Sequence, residues 1–369
     1  MPLPPAILQV LPALDAGGVE RGTLEIAEAI QAAGWRALVA SSGGRLVPAL
    51  EATGARHITL PLATKSPLGI WHNAAALAEL VRAEQVSILH ARSRAPAWSA
   101  WLTARRTGAR FVTTYHGTYG EGFPGKRLYN SVMARGDRVI AISRHIADHI
   151  HATHGRESRV ILRGVDFRRF DPALVAPERV AALRAAWAVP PGAPVILLPA
   201  RLTRWKGQAV LIEALAELPA AIAVLAGDPQ GRETYVAQLR GLAEARDVAE
   251  RLRIPGHVAD MPAALLAADL VVHASIEPEA FGRTVIEAQA MGRPVIAADL
   301  GGPRETVEHG VTGWLTPPGD AEALAAQIRA ALALPAEQRG AMGMAARQRV
   351  PTMAAMQQAT LALYRELLP

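Results

Sequence analysis

The sequence of 369 residues contains no cysteine. Disulfide bonds, zinc–thiolate sites, iron–sulfur clusters and a cysteine nucleophile are therefore excluded. A chain without cysteine is compatible with a reducing compartment, so we expect the protein in the cytoplasm. Half of the residues are hydrophobic and 20% are charged, which is typical of a folded globular protein rather than a disordered one.

Long hydrophobic runs are also missing. No stretch long enough to cross a bilayer, about 18 residues or more, is free of charged and turn-forming residues. Residues 1–14 lack a positively charged start, and prolines break their short apolar stretch. We therefore predict a first β-strand there rather than a signal peptide, and we expect no transmembrane helix.

Acidic residues are scarce in the first half of the chain. Residues 1–170 carry 21 Lys and Arg against 12 Asp and Glu, whereas residues 171–369 carry 18 against 21. No nucleic-acid-binding module is recognisable, so nucleic acid is not expected as a partner. Two explanations of the basic half stay open, an anionic membrane surface as a partner and an ordinary solvated face.

Short apolar segments alternate with amphipathic helical segments along almost the whole chain. The apolar segments are mostly continuous rather than alternating, which indicates parallel sheets covered on both faces. The pattern pauses at residues 164–190 and then starts again. We predict an α/β protein with two doubly wound parallel-sheet domains, residues 1–170 and 171–350, and a C-terminal helix within 351–369 that packs back on the first domain. Two such domains facing each other would leave a cleft, a common place for a ligand.

The segments define the individual elements. The predicted strands are residues 7–11, 37–40, 57–60, 86–90, 110–114, 138–142 and 160–162 in the first domain, and 195–199, 222–226, 270–273 and 294–298 in the second, with a further short segment at 252–255. Ser143 is predicted to cap the helix that follows it.

The loop after the first predicted strand contains the adjacent glycines Gly17 and Gly18. In open α/β sheets, ligands bind at the carboxyl ends of the strands, and glycines that open a helix let backbone N–H groups approach an anion. The loop is not G-x-G-x-x-G, and no such fingerprint occurs elsewhere, so a nicotinamide or flavin cofactor loses its main support. A tight turn without a ligand explains the two glycines equally well.

Arg201 and Lys206 lie in the corresponding loop of the second domain. Arg201 follows a strand, and Lys206 comes just before a helix. Two cations beside a helix N-terminus suit a diphosphate. Ordinary loop charge is the alternative, and it would be preferred if this segment stood alone.

A second pair of charged residues, Glu279 and Glu287, lies in a loop and in the helix that follows it. A carboxylate in this position can accept both hydroxyls of a ribose diol. Gly282, between them, permits close approach of the backbone to a ligand. Alternatively, Glu279 caps the helix and Glu287 lies on a solvated face, although an unpaired carboxylate beside Ile286 would be costly.

The spacing of these residues resembles glycosyltransferase family 4. Seven residues separate Glu279 from Glu287, and Gly-Arg-Pro-Val-Ile at 292–296 and Gly-Gly-Pro-Arg-Glu at 301–305 follow. Members of this family are retaining, metal-independent enzymes of the GT-B fold with nucleotide-sugar donors. Matching segments occur in order along the chain: Gly17-Gly18, Tyr115-His116-Gly117, Arg163-Gly164-Val165-Asp166, Arg201 to Gly207 and Ala226-Gly227-Asp228. The middle section is most similar to bacterial lipopolysaccharide-core glycosyltransferases.

The resemblance implies a role for each of these residues. Glu287 would bind the ribose, Arg201 and Lys206 would neutralise the diphosphate, and Glu279 would hold the donor sugar together with the backbone of Phe281 and Gly282. His116 would lie near the reacting sugar, Gly17 and Gly18 would close over the phosphates, and His257 would face the base. Arg283 and Thr284 complete the segment expected to bind the donor. Ala280 and Arg283 depart from the family pattern; Arg283 could touch an anionic group or lie on the surface.

Neither a metal nor a resident cofactor is expected. The chain has no Asp-x-Asp, and the two cations would take the place of a metal ion at the diphosphate. His145 and His149 have the i, i+4 spacing of zinc ligands, but without a third ligand in view we prefer a solvated surface.

We expect a retaining hexosyltransferase that uses a nucleoside-diphosphate sugar, with a UDP-sugar favoured. The expected acceptor is a saccharide or lipid-linked saccharide of the lipopolysaccharide or another envelope polysaccharide, at the inner face of the cytoplasmic membrane. A nucleotide-sugar epimerase or hydrolase on the same fold and a non-catalytic nucleotide-sugar-binding protein are the alternatives.

Overall fold

A computed structural model describes residues 3–15, 17–120, 122 and 124–368. The chain forms two compact units. The first contains residues up to 163 together with those from 353 onward, and the second contains residues 164–352. In the described part of the chain, no helix is both long and apolar enough to span a membrane.

In its described residues, the first unit is built on a parallel sheet of seven strands in the order β3-β2-β1-β4-β5-β6-β7. The strands are β1 Ala6–Val10, β2 Arg36–Ser41, β3 Arg56–Thr59, β4 Val86–Ala91, β5 Arg110–Tyr115, β6 Arg138–Ala141 and β7 Arg159–Val160. The helices between them are α1 Gly18–Ala32, α2 Val47–Glu51, α3 Pro67–Ala83, α4 Arg94–Thr107, α5 Pro124–Ser131 and α6 Arg144–His154. The inner strand β1 is buried along its whole length, as a strand covered on both faces must be.

The second unit repeats this plan. Its described residues form a parallel sheet of six strands in the order β10-β9-β8-β11-β12-β13. The strands are β8 Val195–Pro199, β9 Ile222–Ala226, β10 Leu252–Gly256, β11 Leu270–His273, β12 Val295–Ala298 and β13 Trp314–Thr316. The helices are α7 Pro177–Ala186, α8 Gln208–Leu215, α9 Glu233–Ala245, α10 Met261–Ala267, α11 Arg283–Ala290, α12 Ala321–Ala333 and α13 Ala336–Arg349.

The last helix, α14 Met353–Arg365, returns to the first unit and packs against α1. Leu363 and Tyr364 on this helix are fully buried in the core of that unit. It lies within the predicted C-terminal segment, residues 351–369.

The main differences from the predicted elements lie where the apolar pattern is weak. The pause at residues 164–190 contains α7, which has no buried residue and therefore no apolar stripe to detect. The unpredicted α13 contains Gly340 and Gly343, and the three-residue β13 is too short for a periodicity. The predicted cap at Ser143 is confirmed, because its hydroxyl accepts a hydrogen bond from the Ile146 N–H at 3.1 Å.

Candidate functional site

The sheet of the second unit reverses its strand order between β8 and β11. Strands β9 and β10 lie on one side of β8, and β12 and β13 lie beyond β11. Ligands of open α/β sheets bind at such a switch point, at the carboxyl ends of the strands. The loops that begin there are residues 200–207 after β8 and 274–282 after β11. They contain five predicted site residues, Arg201, Lys206, Glu279, Phe281 and Gly282.

The backbones of these two loops are in close contact. The Ile276 N–H donates a hydrogen bond to the Trp205 carbonyl at 2.8 Å. Gly207 has a φ of +71°, and a Cβ placed on it would lie 1.8 Å from the carbonyl oxygen of Ala274. Only glycine fits there, because any other residue would collide with backbone and would also be strained in the left-handed region.

Lys206 and Glu279 meet in this crevice although they are 73 residues apart. The Lys206 Nζ lies 2.7 Å from the Glu279 Oε2, and the Lys206 side chain is 10% exposed. The ammonium also lies 4.2 Å from the centre of the Trp205 ring. Because an ammonium has three N–H donors, the contact with Glu279 leaves the others available to a ligand.

Two further side chains, His273 and Ser275, contact the same carboxylate oxygen. The His273 Nε2 lies 2.5 Å from the Glu279 Oε2, and the Ser275 hydroxyl donates to that oxygen at 3.4 Å. Neither residue is among the site residues predicted from the sequence. The only available signal was a histidine at the end of the otherwise apolar strand β11.

The charges in the crevice depend on these contacts. Burial acts to raise the pKa of the Glu279 carboxyl, but the hydrogen bonds and charges of His273 and Lys206 outweigh it and hold the pKa well below its ordinary value. Burial lowers the pKa of Lys206, Glu279 opposes this effect, and the nearby charge of Arg201 adds to it. Glu279 is thus a carboxylate at neutral pH and a hydrogen-bond acceptor only.

The residues expected to bind the donor continue into α11. Gly282 has a φ of +85° and precedes the first residue of the helix. Phe281 and Glu287 are buried, and the Arg283 Nε lies 3.6 Å from the Glu287 Oε1. Thr284 is half-buried in the first turn. Glu287 is therefore not on a solvated face, Arg283 is not a surface residue, and Glu279 does not cap the helix.

Two other predicted residues of the second unit are exposed. Arg201 projects from the loop after β8, and its carbonyl accepts a hydrogen bond from the Gln208 side chain at 2.9 Å. His257 follows β10, two strands away from β8 in the sheet. Lys206 and Glu279 are thus in contact, Arg201 is near them, and His257 lies further along the same sheet edge.

Gly17 and Gly18 lie in the first unit, at the start of α1. Gly17 has a φ of +145°, and the Gly18 carbonyl accepts a hydrogen bond from the Arg163 guanidinium at 3.2 Å. The same guanidinium pairs with Glu25 at 2.9 Å. Ala16 of the predicted glycine loop lies outside the described residues. The turn is thereby connected to Arg163, the last residue before the chain enters the second unit.

His116 follows β5 and lies close to a buried polar network. Its Nε2 is buried without a hydrogen-bond partner among the described residues. Burial and the charges of Arg92 and Arg163 lower its pKa well below the ordinary value. The Arg92 Nε donates to the Gln9 side chain at 2.7 Å. Arg92 belongs to the basic half of the chain, but it is buried and is therefore not part of a basic surface.

His145 and His149 do not lie on a freely solvated surface, contrary to the prediction. Both residues are half-buried, and the His149 Nε2 accepts a hydrogen bond from the Tyr119 N–H at 3.3 Å. Within the residues that the structure describes, no three His, Asp or Glu side chains are grouped to hold a metal ion.

Comparison with protein families gives two matches that follow each other along the chain. A family model described as glycosyltransferase family 4 matches residues 16–169, and one described as glycosyl transferases group 1 matches residues 180–349. Together they include both loops of the crevice and the turn at Gly17 and Gly18.

Two solved structures are similar over the whole length. The crystal structure of a glycosyltransferase from Rickettsia africae ESF-5 is 36% identical, with a TM-score of 0.92 over 99% of this chain and 98% of that one. HepE from Anabaena, solved in complex with UDP and glucose, is 27% identical, with a TM-score of 0.86 over 97% of this chain and 99% of that one. The predicted fold class, two doubly wound parallel-sheet domains of the GT-B type, is confirmed.

Curated relatives match over a shorter region. A D-inositol 3-phosphate glycosyltransferase from Jonesia denitrificans is 28% identical over 276 residues, which is 66% of this chain and 63% of that protein. The chain spans less than two thirds of the length of these curated relatives.

Proposed function

This chain belongs to the glycosyltransferases, with a family 4 region followed by a group 1 region, and on that premise we propose that it transfers a sugar from a nucleoside-diphosphate sugar to a hydroxyl group of an acceptor. A UDP-sugar is the favoured donor, since HepE was solved with UDP and glucose. The anomeric configuration of the sugar is retained, as the family resemblance implies.

The observation that carries this proposal is the arrangement at the β8–β11 switch point. Lys206 and Arg201 place positive charge where a diphosphate would lie, and Glu279 places an ionised carboxylate beside it. A glycosyl donor needs the positive charge because its diphosphate leaves with negative charge. It needs the carboxylate because the hydroxyls of its sugar donate hydrogen bonds. Glu287, buried one turn into α11 beside the Arg283 guanidinium, is proposed to accept hydrogen bonds from the ribose hydroxyls.

Catalysis in this arrangement comes from stabilising the leaving group. As the glycosidic bond to the diphosphate breaks, negative charge grows on the departing oxygen, and Lys206 and Arg201 stabilise it. The crevice is partly shielded from water, which strengthens these interactions compared with the same charges in bulk solvent. His116 of the first unit is proposed to approach the reacting sugar.

The acceptor is proposed to be a saccharide or lipid-linked saccharide of the bacterial envelope, such as lipopolysaccharide core, used at the cytoplasmic face of the inner membrane. An exposed surface on the first unit supports contact with an anionic membrane. Leu68 and Trp71 on α3 are 72% and 53% exposed. Arg106 on α4 lies 5.8 Å from the Trp71 ring, and Arg105 beside it is exposed. Apolar and aromatic groups mixed with arginine suit the interface of an anionic bilayer.

The proposal is tested with a panel of nucleotide sugars, scored first by thermal shift and then by turnover. Wild-type protein is expected to release UDP from a UDP-sugar only when an acceptor is added, with retention in the product NMR spectrum. The acceptor panel includes lipopolysaccharide core fragments and D-inositol 3-phosphate. Release without acceptor would support the hydrolase alternative, and binding without turnover would support the non-catalytic one. Inversion would exclude the family mechanism.

A matched pair of variants tests the site itself. Lys206→Ala is expected to lower kcat/KM by about 10²- to 10³-fold, because it removes a charge from the leaving group. Arg204→Ala removes an exposed arginine from the same loop, where it contacts Gln238, and is expected to change kcat/KM by less than about twofold. Equal losses in the two variants, or full activity in Lys206→Ala, would contradict the assignment.

A further inference from the structure

The contacts of Glu279 are unevenly divided between its two oxygens. Lys206, His273 and Ser275 all approach Oε2, at 2.7, 2.5 and 3.4 Å. Among the described residues, no hydrogen bond to Oε1 is found. One oxygen is therefore held by the protein, and the other is available to accept hydroxyl groups.

His273 differs from Lys206 in how firmly it can hold that oxygen. It is the last residue of β11, its side chain is 5% exposed, and its strand pairs with β8 and β12 on either side. A short imidazole on a buried strand has little freedom, whereas a lysine stem has four rotatable bonds and loses much entropy when fixed. The position of Glu279 thus depends first on His273.

The proton on the imidazole can be assigned from these contacts. A carboxylate only accepts hydrogen bonds, so the short contact requires an N–H on Nε2. The Nδ1 is buried and has no partner among the described residues. Ser275 lies 3.3 Å from the same Nε2 and gives the carboxylate a second, weaker donor.

We propose that His273, supported by Ser275, is a positioning residue that turns the free oxygen of Glu279 towards the sugar of the donor. This inference rests on the proposed function. If His273 acts in this way, different side chains bind the diphosphate and the sugar of the donor, and each set can be changed by mutation without the other. Lys206 and Arg201 bind the diphosphate, while His273 acts only on the sugar, through Glu279.

The experiment compares His273→Leu with His273→Gln in calorimetric titrations with UDP and with UDP-glucose, alongside steady-state kinetics. Leucine removes the N–H donor, and glutamine supplies an amide N–H at a reach similar to that of Nε2. His273→Leu is expected to weaken UDP-glucose binding and to lower kcat/KM by about 10- to 100-fold, while UDP binding changes by less than about twofold. His273→Gln is expected to restore most of the loss.

Several outcomes would overturn the inference. An equal loss of UDP and UDP-glucose affinity in His273→Leu would indicate a merely structural role, as would a failure of His273→Gln to restore activity in a protein with a normal melting temperature. Unchanged activity in His273→Leu would exclude any role. Failure of the wild type to bind either probe or any other nucleotide sugar in the donor panel would instead contradict the proposed function, so the two failures are distinguishable. If the panel identifies another donor, that nucleotide sugar and its diphosphate replace the two probes.

Discussion

At the residue scale, Glu279 shows what a sequence pattern can and cannot provide. Its spacing from Glu287 marks it as a site residue. The spacing does not show whether the carboxyl is ionised, because a buried carboxylate is costly unless it has partners. The structure gives the reason that it stays ionised: two buried or nearly buried donors, His273 and Lys206, converge on one oxygen. Neither partner could be read from the local pattern, because His273 is the last residue of a buried strand and Lys206 comes from a loop 73 residues away.

His90 illustrates a second effect of burial, in the first unit. Its Nδ1 lies 2.5 Å from the Tyr364 hydroxyl, and its Nε2 lies 2.7 Å from the Thr114 hydroxyl. Burial, and then the charges of Arg92 and His116, lower the pKa of His90 well below the ordinary value. The folded chain therefore keeps this imidazole neutral at a pH where the unfolded chain would protonate it.

This shift predicts a loss of stability in acid. Below about pH 6.5 the unfolded chain binds a proton that the folded chain does not, so the free energy of unfolding falls as the pH decreases. The contribution of neutral His90 to the free energy of unfolding is complete above about pH 6.5 and is lost progressively below that pH. Urea titrations at about pH 7.5 and about pH 5.5 should show the fall, and His90→Gln should reduce its slope by up to about 1.4 kcal/mol per pH unit.

Tyr364→Phe is the matched variant for this measurement. It removes the hydroxyl that contacts His90 but leaves the imidazole in place, so stability should fall by about 1 kcal/mol at both pH values while the slope persists. A wild-type stability that is unchanged or higher at the lower pH would contradict the assignment to buried neutral histidines, and so would an unchanged slope in His90→Gln.

At the element scale, the loops of the second unit are shaped by backbone-to-backbone approach. A Cβ on Gly227, after β9, would lie 1.8 Å from the Ala200 carbonyl oxygen, and one on Gly301, after β12, would lie 2.5 Å from the Glu279 carbonyl oxygen. The Gly302 N–H donates to that same Glu279 carbonyl at 2.7 Å. The loops after four neighbouring strands thus support one another, which keeps the crevice side chains in place.

Gly227→Ala tests this support. The added methyl group collides with backbone rather than with a flexible side chain, so the loop after β8 must move. We expect a loss of about 1–3 kcal/mol in the free energy of unfolding, together with reduced turnover because Arg201 is displaced. Chemical denaturation and kinetics measure the two effects.

Gly241→Ala is the control for that substitution. Gly241 lies within α9, and a Cβ there meets no atom within 4 Å. Alanine is the better helix former, so stability should rise by about 0.5–1 kcal/mol with turnover unchanged. If both glycine variants behaved alike, the close approach at Gly227 would not determine the shape of the loop.

At the scale of the whole molecule, the basic residues serve different purposes. Lys206 and Arg163 are buried and paired with carboxylates, and Arg92 is buried beside Gln9. Others, such as Arg105 and Arg106, are exposed next to tryptophans. The excess of positive charge in residues 1–170 is therefore only partly a surface property.

The exposed arginines and tryptophans of the first unit allow a test of membrane association. We expect the protein to sediment with vesicles that contain phosphatidylglycerol, more than with phosphatidylcholine alone, and less as salt is added. Trp71→Ala combined with Arg106→Gln should weaken binding about fivefold or more, since each basic residue near an anionic surface contributes about 1 kcal/mol. Met344→Ala, an exposed apolar residue of the second unit, should have no effect. Sedimentation that is independent of anionic lipid would refute the membrane proposal.

The fold class and most of the elements follow from the amino-acid sequence alone, because continuous apolar strands and amphipathic helices are local patterns that a doubly wound sheet requires. The sequence also marks Lys206 by its place in the loop after a strand, and Glu279 and Glu287 by their spacing in a loop and the helix that follows it. The contacts between side chains come from the folded chain instead: Lys206 pairs with Glu279, and His273 holds the same carboxylate oxygen. These contacts depend on how closely the backbones of loops from neighbouring strands approach each other, and no periodicity along the chain encodes such a distance.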